Sequence, residues 1–302
     1  MSSLAAELDD LGIIVSSRLE PLYPRVRDRA DIGVLRDPVT EVILLSSTQH
    51  ASVRYYESKA ERPGYEVHGD RVVTPRLEDN IRRADTFGAL LRNKHWLDFG
   101  CGLGGMLDEM KGQAAWAAGL EPSRERAAVV AGNGHVVVSG LDEVADGSLD
   151  IVTLFHVLEH LDDALQTLIR VREKLKPGAR VLIEVPHARD ALFTLYDSDA
   201  FKRFTFWSEH LVLHTRQSLT RLLGCAGFDR IEVSGCQRYP LSNHLHWLAR
   251  QAPGGHEAWP FLNGTGLHAE YEAALSRVDR TDTLIVHAQA PFEGAFVKRD
   301  AP

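Results

Sequence analysis

Cysteine is scarce in this chain of 302 residues, and the three present, Cys101, Cys225 and Cys236, stand far apart with no Cys-x-x-Cys pair. That spacing excludes a disulfide framework and a cysteine-built zinc site, and points to a reducing compartment. Long basic runs are missing too. Thirty-four Lys and Arg against 42 Asp and Glu leave a net charge of −8, which argues against a nucleic-acid groove or an anionic membrane surface as main partner. No uninterrupted apolar stretch approaches the ~20 residues that a membrane-spanning helix needs. The first ten residues carry acids where a signal peptide has its apolar core. A cytoplasmic protein is the expectation.

What is present centres on residues 96–107, an apolar stretch that reaches Asp98 and then breaks into Gly100-Cys101-Gly102-Leu103-Gly104. This reads as a strand, a glycine turn and the start of a helix. Glycines at alternate positions let the backbone turn sharply and approach a ligand closely, because no Cβ intervenes. The Asp-x-Gly-x-Gly-x-Gly spacing departs from the Gly-x-Gly-x-x-Gly of dinucleotide enzymes.

Before this turn, Val39–Leu45 could be a strand, and the tyrosines Tyr55, Tyr56 and Tyr65 sit among charges, either packing or covering a substrate pocket. From Pro75 to Asn93, Leu77, Ile81, Ala84, Phe87 and Leu91 recur at helical steps. After the turn, residues 114–121 read as a strand ending on Glu121, 21 residues beyond Gly100. A nucleoside-binding fold places its ribose carboxylate near such a position. Ser123 reads as a helix N-cap and Gly132-Asn133-Gly134 as a stop. Further strands are expected at 136–138, 148–155 and 181–186, with Lys176-Pro177-Gly178 ending the helix before the last of them. Strands alternating with helices mean a parallel sheet covered on both faces. Thr215 reads as the cap of a helix that Gly227 stops. Two final strands are expected at 231–234 and 283–288, with a long insertion between them.

Four pieces in this order, Asp98 to Gly104, Glu121, Leu149 to His160, and Leu175-Lys176-Pro177-Gly178, resemble the class I S-adenosylmethionine-dependent methyltransferases. The resemblance implies a Rossmann-like α/β fold with a mostly parallel seven-stranded sheet and helices on both faces. The expected organisation is an N-terminal cap over 1–78, a cofactor-binding domain over 79–289 with insertions at 187–214 and 238–280, and a tail over 290–302. It implies S-adenosylmethionine as cofactor. Gly100, Cys101, Gly102 and Gly104 would contact its methionine part, Asp98 would order the turn or meet its ammonium, and Glu121, followed by Pro122, would bind the ribose. Gly140 and Leu141 would flank the adenine, and Phe155 and His156 would line the pocket.

Methyl transfer to a hydroxyl or an acidic carbon is helped by a general base, and the strand-end loops offer His156, His187, Glu209 and His210, with His210 the first choice. Trp207-Ser208-Glu209-His210 resembles the Glu-His segment of sugar-nucleotide C-methyltransferases, and the stretches Glu209 to Leu219 and Arg238 to Trp247 resemble methyltransferases of polysaccharide and natural-product sugar pathways. They imply a small-molecule acceptor, an oxygen or carbon centre of a sugar or related metabolite, met by Tyr55, Tyr56, Arg238, Asn243 and His244. A homodimer is left open. His156-Val157-Leu158-Glu159-His160 also spells the order of an inverted zinc-protease signature. Even so, no metal is expected, because the histidines fall at a strand-to-helix junction and no third ligand is evident. The rival readings are an adenosylmethionine-binding protein without catalysis and a nicotinamide oxidoreductase.

Overall fold

The computed structural model describes residues 3–51, 66–68, 71–73 and 77–292. Tyr55, Tyr56 and Tyr65 lie outside the described residues. The strands are β1 (Glu20–Tyr23), β2 (Val34–Arg36), β3 (Ile43–Leu45), β4 (Glu66–His68), β5 (Arg71–Val73), β6 (His95–Phe99), β7 (Trp116–Leu120), β8 (Val136–Val138), β9 (Leu149–Phe155), β10 (Leu175–Pro186), β11 (Val212–Leu213), β12 (Asp229–Cys236) and β13 (Thr283–Gln289). Seven of them form one sheet in the order β12-β13-β10-β9-β6-β7-β8. The run from β10 to β8 is parallel, and β13 lies antiparallel to both β10 and β12. This is the mostly parallel seven-stranded sheet of a class I methyltransferase. Covered on both faces, its central strands carry near-continuous apolar runs. Leu97, Val152, Leu154, Val181, Ile183, Val185, Leu284 and Val286 are all fully buried, each contributing ~1.5–3 kcal/mol by leaving water.

A second, antiparallel sheet runs β1-β2-β3-β11. It joins the N-terminal region to a strand from the 187–214 segment, pairing Val212 with Leu44 and Leu213 with Ile43. Only Ile43–Leu45 of the expected Val39–Leu45 strand is extended. Asp37 accepts hydrogen bonds from the Val39 and Thr40 amides (2.8 and 3.2 Å), and Glu41 takes a positive φ of 61°. Residues 37–42 are therefore the turn of the β2–β3 hairpin.

The helix Leu77–Leu91 matches its apolar spacing, except that Ile81 is exposed. The helix Ala164–Lys174 ends before Lys176-Pro177-Gly178. Those residues occupy a break in register within β10, between the Leu175–Leu149 and Arg180–Ile151 pairs. Ser123 makes no side-chain cap; its amide is instead given to Glu121. Thr215 forms a full capping box with Ser218. The 238–280 insertion is helical, with helices Leu241–Arg250, Gly255–Ala258 and Thr265–Arg277. Ala290, expected in a loose tail, is buried and exchanges backbone bonds with Gly178 and Ala179.

Candidate functional site

The carboxyl ends of β6, β7, β9 and β10 open on one cavity of about 1200 Å³. Its floor at one end is the glycine turn. Gly100 and Cys101 both donate backbone N–H bonds to the Leu120 carbonyl (2.8 and 3.1 Å), which binds the turn to the end of β7. Gly100 has a φ of +73°, and a Cβ there would stand 2.5 Å from Val157 Cγ2. Gly102 also has a positive φ, but a Cβ on it would meet nothing within 4 Å. The first glycine is required by the close approach of Val157, and the second leaves room over the turn.

Glu121 is buried and lines the same end. Its Oε2 accepts from the Gly102 amide (3.0 Å) and its Oε1 from the Ser123 amide (2.9 Å). Both oxygens are held by backbone amides, which fixes the group in orientation beside the turn. Cys101, Pro122, Gly140, Leu141, Phe155 and His156 also line the cavity. Burial pushes the Cys101 thiol up, beyond any role as a thiolate. The open space over Gly102 and the oriented carboxylate fit a nucleoside bearing an amino-acid arm.

Two of the expected contacts sit elsewhere. Asp98 is buried beneath the turn and is not among the residues lining the cavity. Its Oδ1 accepts from Thr153 Oγ1 (2.6 Å), which in turn accepts from Trp96 Nε1 (2.9 Å). Burial pushes its carboxyl up to about 6, against the Thr153 bond and the Arg83 charge. Gly104 likewise faces away, toward Val130 of the helix Arg124–Gly132.

Beside the turn lies a charged group the sequence did not announce. Glu184 of β10 is fully buried between Arg82 (2.7 Å) and Arg83 (2.5 Å). Burial raises its carboxyl, but the His156 bond and the Arg83 charge overcome this and hold it well below the ordinary range. Arg238 bonds to both carboxylate oxygens of Asp79 and donates to His156 Nε2 (2.8 Å). His156 itself, at a φ of +55°, reaches Glu159 Oε1 with its other nitrogen (3.1 Å). With both ring nitrogens engaged, His156 is no free base.

Other expected acceptor-side residues are also committed. His187 is fully buried; its Nδ1 donates to the Thr281 carbonyl (2.9 Å) and burial pushes it down to about 4. His244 is tied to Gln237 and to Tyr271 (3.2 and 2.7 Å), and burial pushes it to about 4 as well. Asn243 accepts from the Gly255 amide. Arg238, Asn243 and His244 reach the cavity wall with polar atoms bonded inside the protein, whereas the buried Nε2 of His187 has no hydrogen-bond partner.

His210 lies among aromatic rings on the same wall. Its ring lies 5.2 Å from that of His160 and 5.3 Å from that of Trp207, and all three line the cavity. His160 Nδ1 donates to the Glu209 carbonyl (2.7 Å), and Leu211 donates to the Glu159 carbonyl (2.8 Å). These two bonds lock the loops together. One donor atom each from Glu159, His160 and His210 lies within 4.8 Å of the other two. The third partner that the sequence lacked for this segment is thus supplied from residue 210. His156 and His160 do not face the same way as on an α-helix, because Leu158–His160 is a 3₁₀ turn and His156 precedes it in a left-handed conformation.

The N-terminal region closes this wall. Asp28 accepts from the Ser208 amide and hydroxyl (2.9 and 2.6 Å), and the Arg27 guanidinium lies 4.6 Å from the Trp207 ring. Arg27, Asp28, Asn80, Arg83 and the rings of Phe201, Phe204 and Trp247 also line the cavity, all unforeseen from sequence.

A methyltransferase-domain family matches residues 70–233, more than half of the chain. Among solved structures, an S-adenosylmethionine-dependent methyltransferase of Archaeoglobus fulgidus is 19% identical, with a TM-score of 0.50 over 70% of this chain and 94% of that one. One from Mesorhizobium loti is 20% identical, with a TM-score of 0.45 over 68% of this chain and 97% of that one. A search of curated proteins gives no match. With the strand order, the glycine turn and the oriented carboxylate beside it, the family match shows that the chain belongs to the class I methyltransferases and is an enzyme that uses S-adenosylmethionine.

Proposed function

We propose that the enzyme methylates a hydroxyl oxygen of a small molecule, a sugar or a related ring-shaped metabolite. The observation that carries this is one cavity lined both by the glycine turn with Glu121 and by His160 and His210, with buried Glu159 beside them. At about 1200 Å³ it exceeds the ~300–1,000 Å³ of an ordinary single-ligand site, so two reactants fit side by side. When bound, S-adenosylmethionine supplies an electrophilic methyl group on a sulfonium sulfur. Gly100 and Gly102 let the chain approach its amino-acid arm, Glu121 accepts the ribose hydroxyls, and Gly140 and Leu141 flank the base.

The acceptor end combines flat apolar faces with a proton-removing centre. Trp207, Phe201 and Phe204 offer faces on which a sugar or planar ring stacks. Methyl transfer needs alignment and exclusion of water more than chemical assistance. A hydroxyl acceptor also has to lose its proton, and the His210 cluster on the cavity wall would assist that loss. No helix among the described residues is long and apolar enough to cross a membrane, in keeping with an acceptor taken from solution.

The test is transfer of labelled methyl from S-adenosylmethionine to a panel of sugars, phenols and small amines. Labelled hydroxyl acceptors support the reading. Methylation confined to amines, whose transfer needs no such cluster, would sink it.

A further inference from the structure

We propose that Glu159, His160 and His210 bind a divalent first-row metal ion, zinc foremost, on the acceptor side of the cavity. This deepens the reading of the cluster as the proton-removing centre and rests on it. Three observations carry it independently of one another. The donor atoms of the three residues are already mutually within 4.8 Å. A zinc ion at ~2.0–2.2 Å from each nitrogen and oxygen holds them somewhat closer, so the site closes by roughly an ångström of side-chain movement.

The second observation is the orientation of His160. Its Nδ1 donates to the backbone carbonyl of Glu209 (2.7 Å), and its Nε2 lies on the side of Glu159, 3.9 Å from Oε1. Metal-bound histidines are held in this way, with the second ring nitrogen donating to a carbonyl or carboxylate that fixes tautomer and direction. The third is an unpartnered atom. Glu159 is fully buried and its Oε2 has no hydrogen-bond partner, while its Oε1 is met by His156. A buried carboxylate oxygen left unpaired is costly, and a cation bound there removes that cost.

Two imidazoles and one carboxylate suit zinc, iron(II), cobalt(II) or manganese(II) and leave coordination positions open. Both His160 and His210 line the cavity, so the open positions face the acceptor. The ion acts there as a Lewis acid, without redox change. It lowers the pKa of the acceptor hydroxyl, whose proton passes to solvent. The new oxygen–carbon bond forms as the sulfonium–carbon bond breaks, leaving a methyl ether, a neutral thioether and one released proton.

The experiment uses the full-length protein, stripped with a chelator, and the metals alone. Zinc is titrated in competition with a chromophoric chelator, and cobalt is followed by its visible absorption. One equivalent per chain with a tetrahedral or five-coordinate cobalt spectrum supports the site. In His210→Ala and Glu159→Gln, each checked for folding by circular dichroism, zinc affinity falls on the order of 100-fold. Absence of stoichiometric binding in the parent, or equal binding in folded His210→Ala, overturns it. If the chelated parent turns over at full rate while His210→Ala is impaired, the metal site is overturned and the proton-removing role of His210 stands.

Discussion

The two ends of the cavity are built in different ways. The cofactor end is local: Gly102 and Glu121, bonded to each other, lie 19 residues apart, and the pieces between are one strand, one turn and one helix. The acceptor end is assembled from afar. His160 meets Glu209 across 49 residues, and Ser208 meets Asp28 across 180. A binding end formed from neighbouring βα units keeps one arrangement because the sheet dictates it. An end made by bringing distant loops together is free to differ in what it accepts.

That contrast is sharpened most by separating cofactor binding from turnover. His210→Ala is expected to lower kcat by about 10²-fold or more with the S-adenosylmethionine Kd unchanged, measured by calorimetry beside steady-state rates. Glu121→Ala acts at the other end. Loss of the bonds proposed to the ribose and of those to the Gly102 and Ser123 amides should weaken cofactor binding by ~10–100-fold. An equal loss in both quantities for either variant would erase the distinction between the ends.

Gly100→Ala should destabilise the fold by about 2 kcal/mol, read as a drop in Tm, because a left-handed φ and a Cβ 2.5 Å from Val157 Cγ2 act together. Val157→Ala in the same chain should restore part of it. No recovery would show that the conformation alone, and not the contact, demands glycine.

The buried histidine at the end of β10 sets a pH dependence. His187 is held at about 4 in the fold, with burial the main cause, Arg216 and Arg189 adding to it and Asp279 and the Thr281 bond opposing it. In the unfolded chain it titrates near 6.5. The unfolded state binds the proton first, so this contribution is intact above pH 6.5 and is lost as pH falls toward 4. Between pH 7 and pH 5 the parent should lose about 2 kcal/mol more than His187→Asn does, measured by denaturant unfolding. Parallel curves would sink this assignment. The smallest effect is expected for Asp28→Ala, about 1 kcal/mol, read as a several-fold rise in the acceptor KM with cofactor affinity untouched.

The sequence carried the cofactor end because its signals are short-range. Alternate glycines, an acid at the close of β7 and near-continuous apolar runs each act on neighbouring residues. Asp98 stayed open between two roles for a physical reason: a carboxylate at a strand end can point into the cavity or under the turn, and only the position of Thr153 decides. The histidine readings show the limit from the other side. His156, His187 and His244 have the right residue type, yet Glu159, Thr281 and Tyr271 each hold one of their ring nitrogens, and for His187 and His244 that partner stands far along the chain. The pairing of Glu159 and His160 with His210 rests on loops brought together by β3 and β11, which no spacing encodes.

The β3–β11 pairing also orders events in time. Val212 finds Leu44 only after the chain between them has been made, and contacts so far apart in sequence form late because long loops must close first. On a ribosome, where synthesis runs from the N-terminus, β1–β3 emerge early and wait with an open edge until residues 212–213 arrive. The wall that carries His210 then forms only after residues 212–213 arrive, and until then the nascent chain presents a bare strand edge.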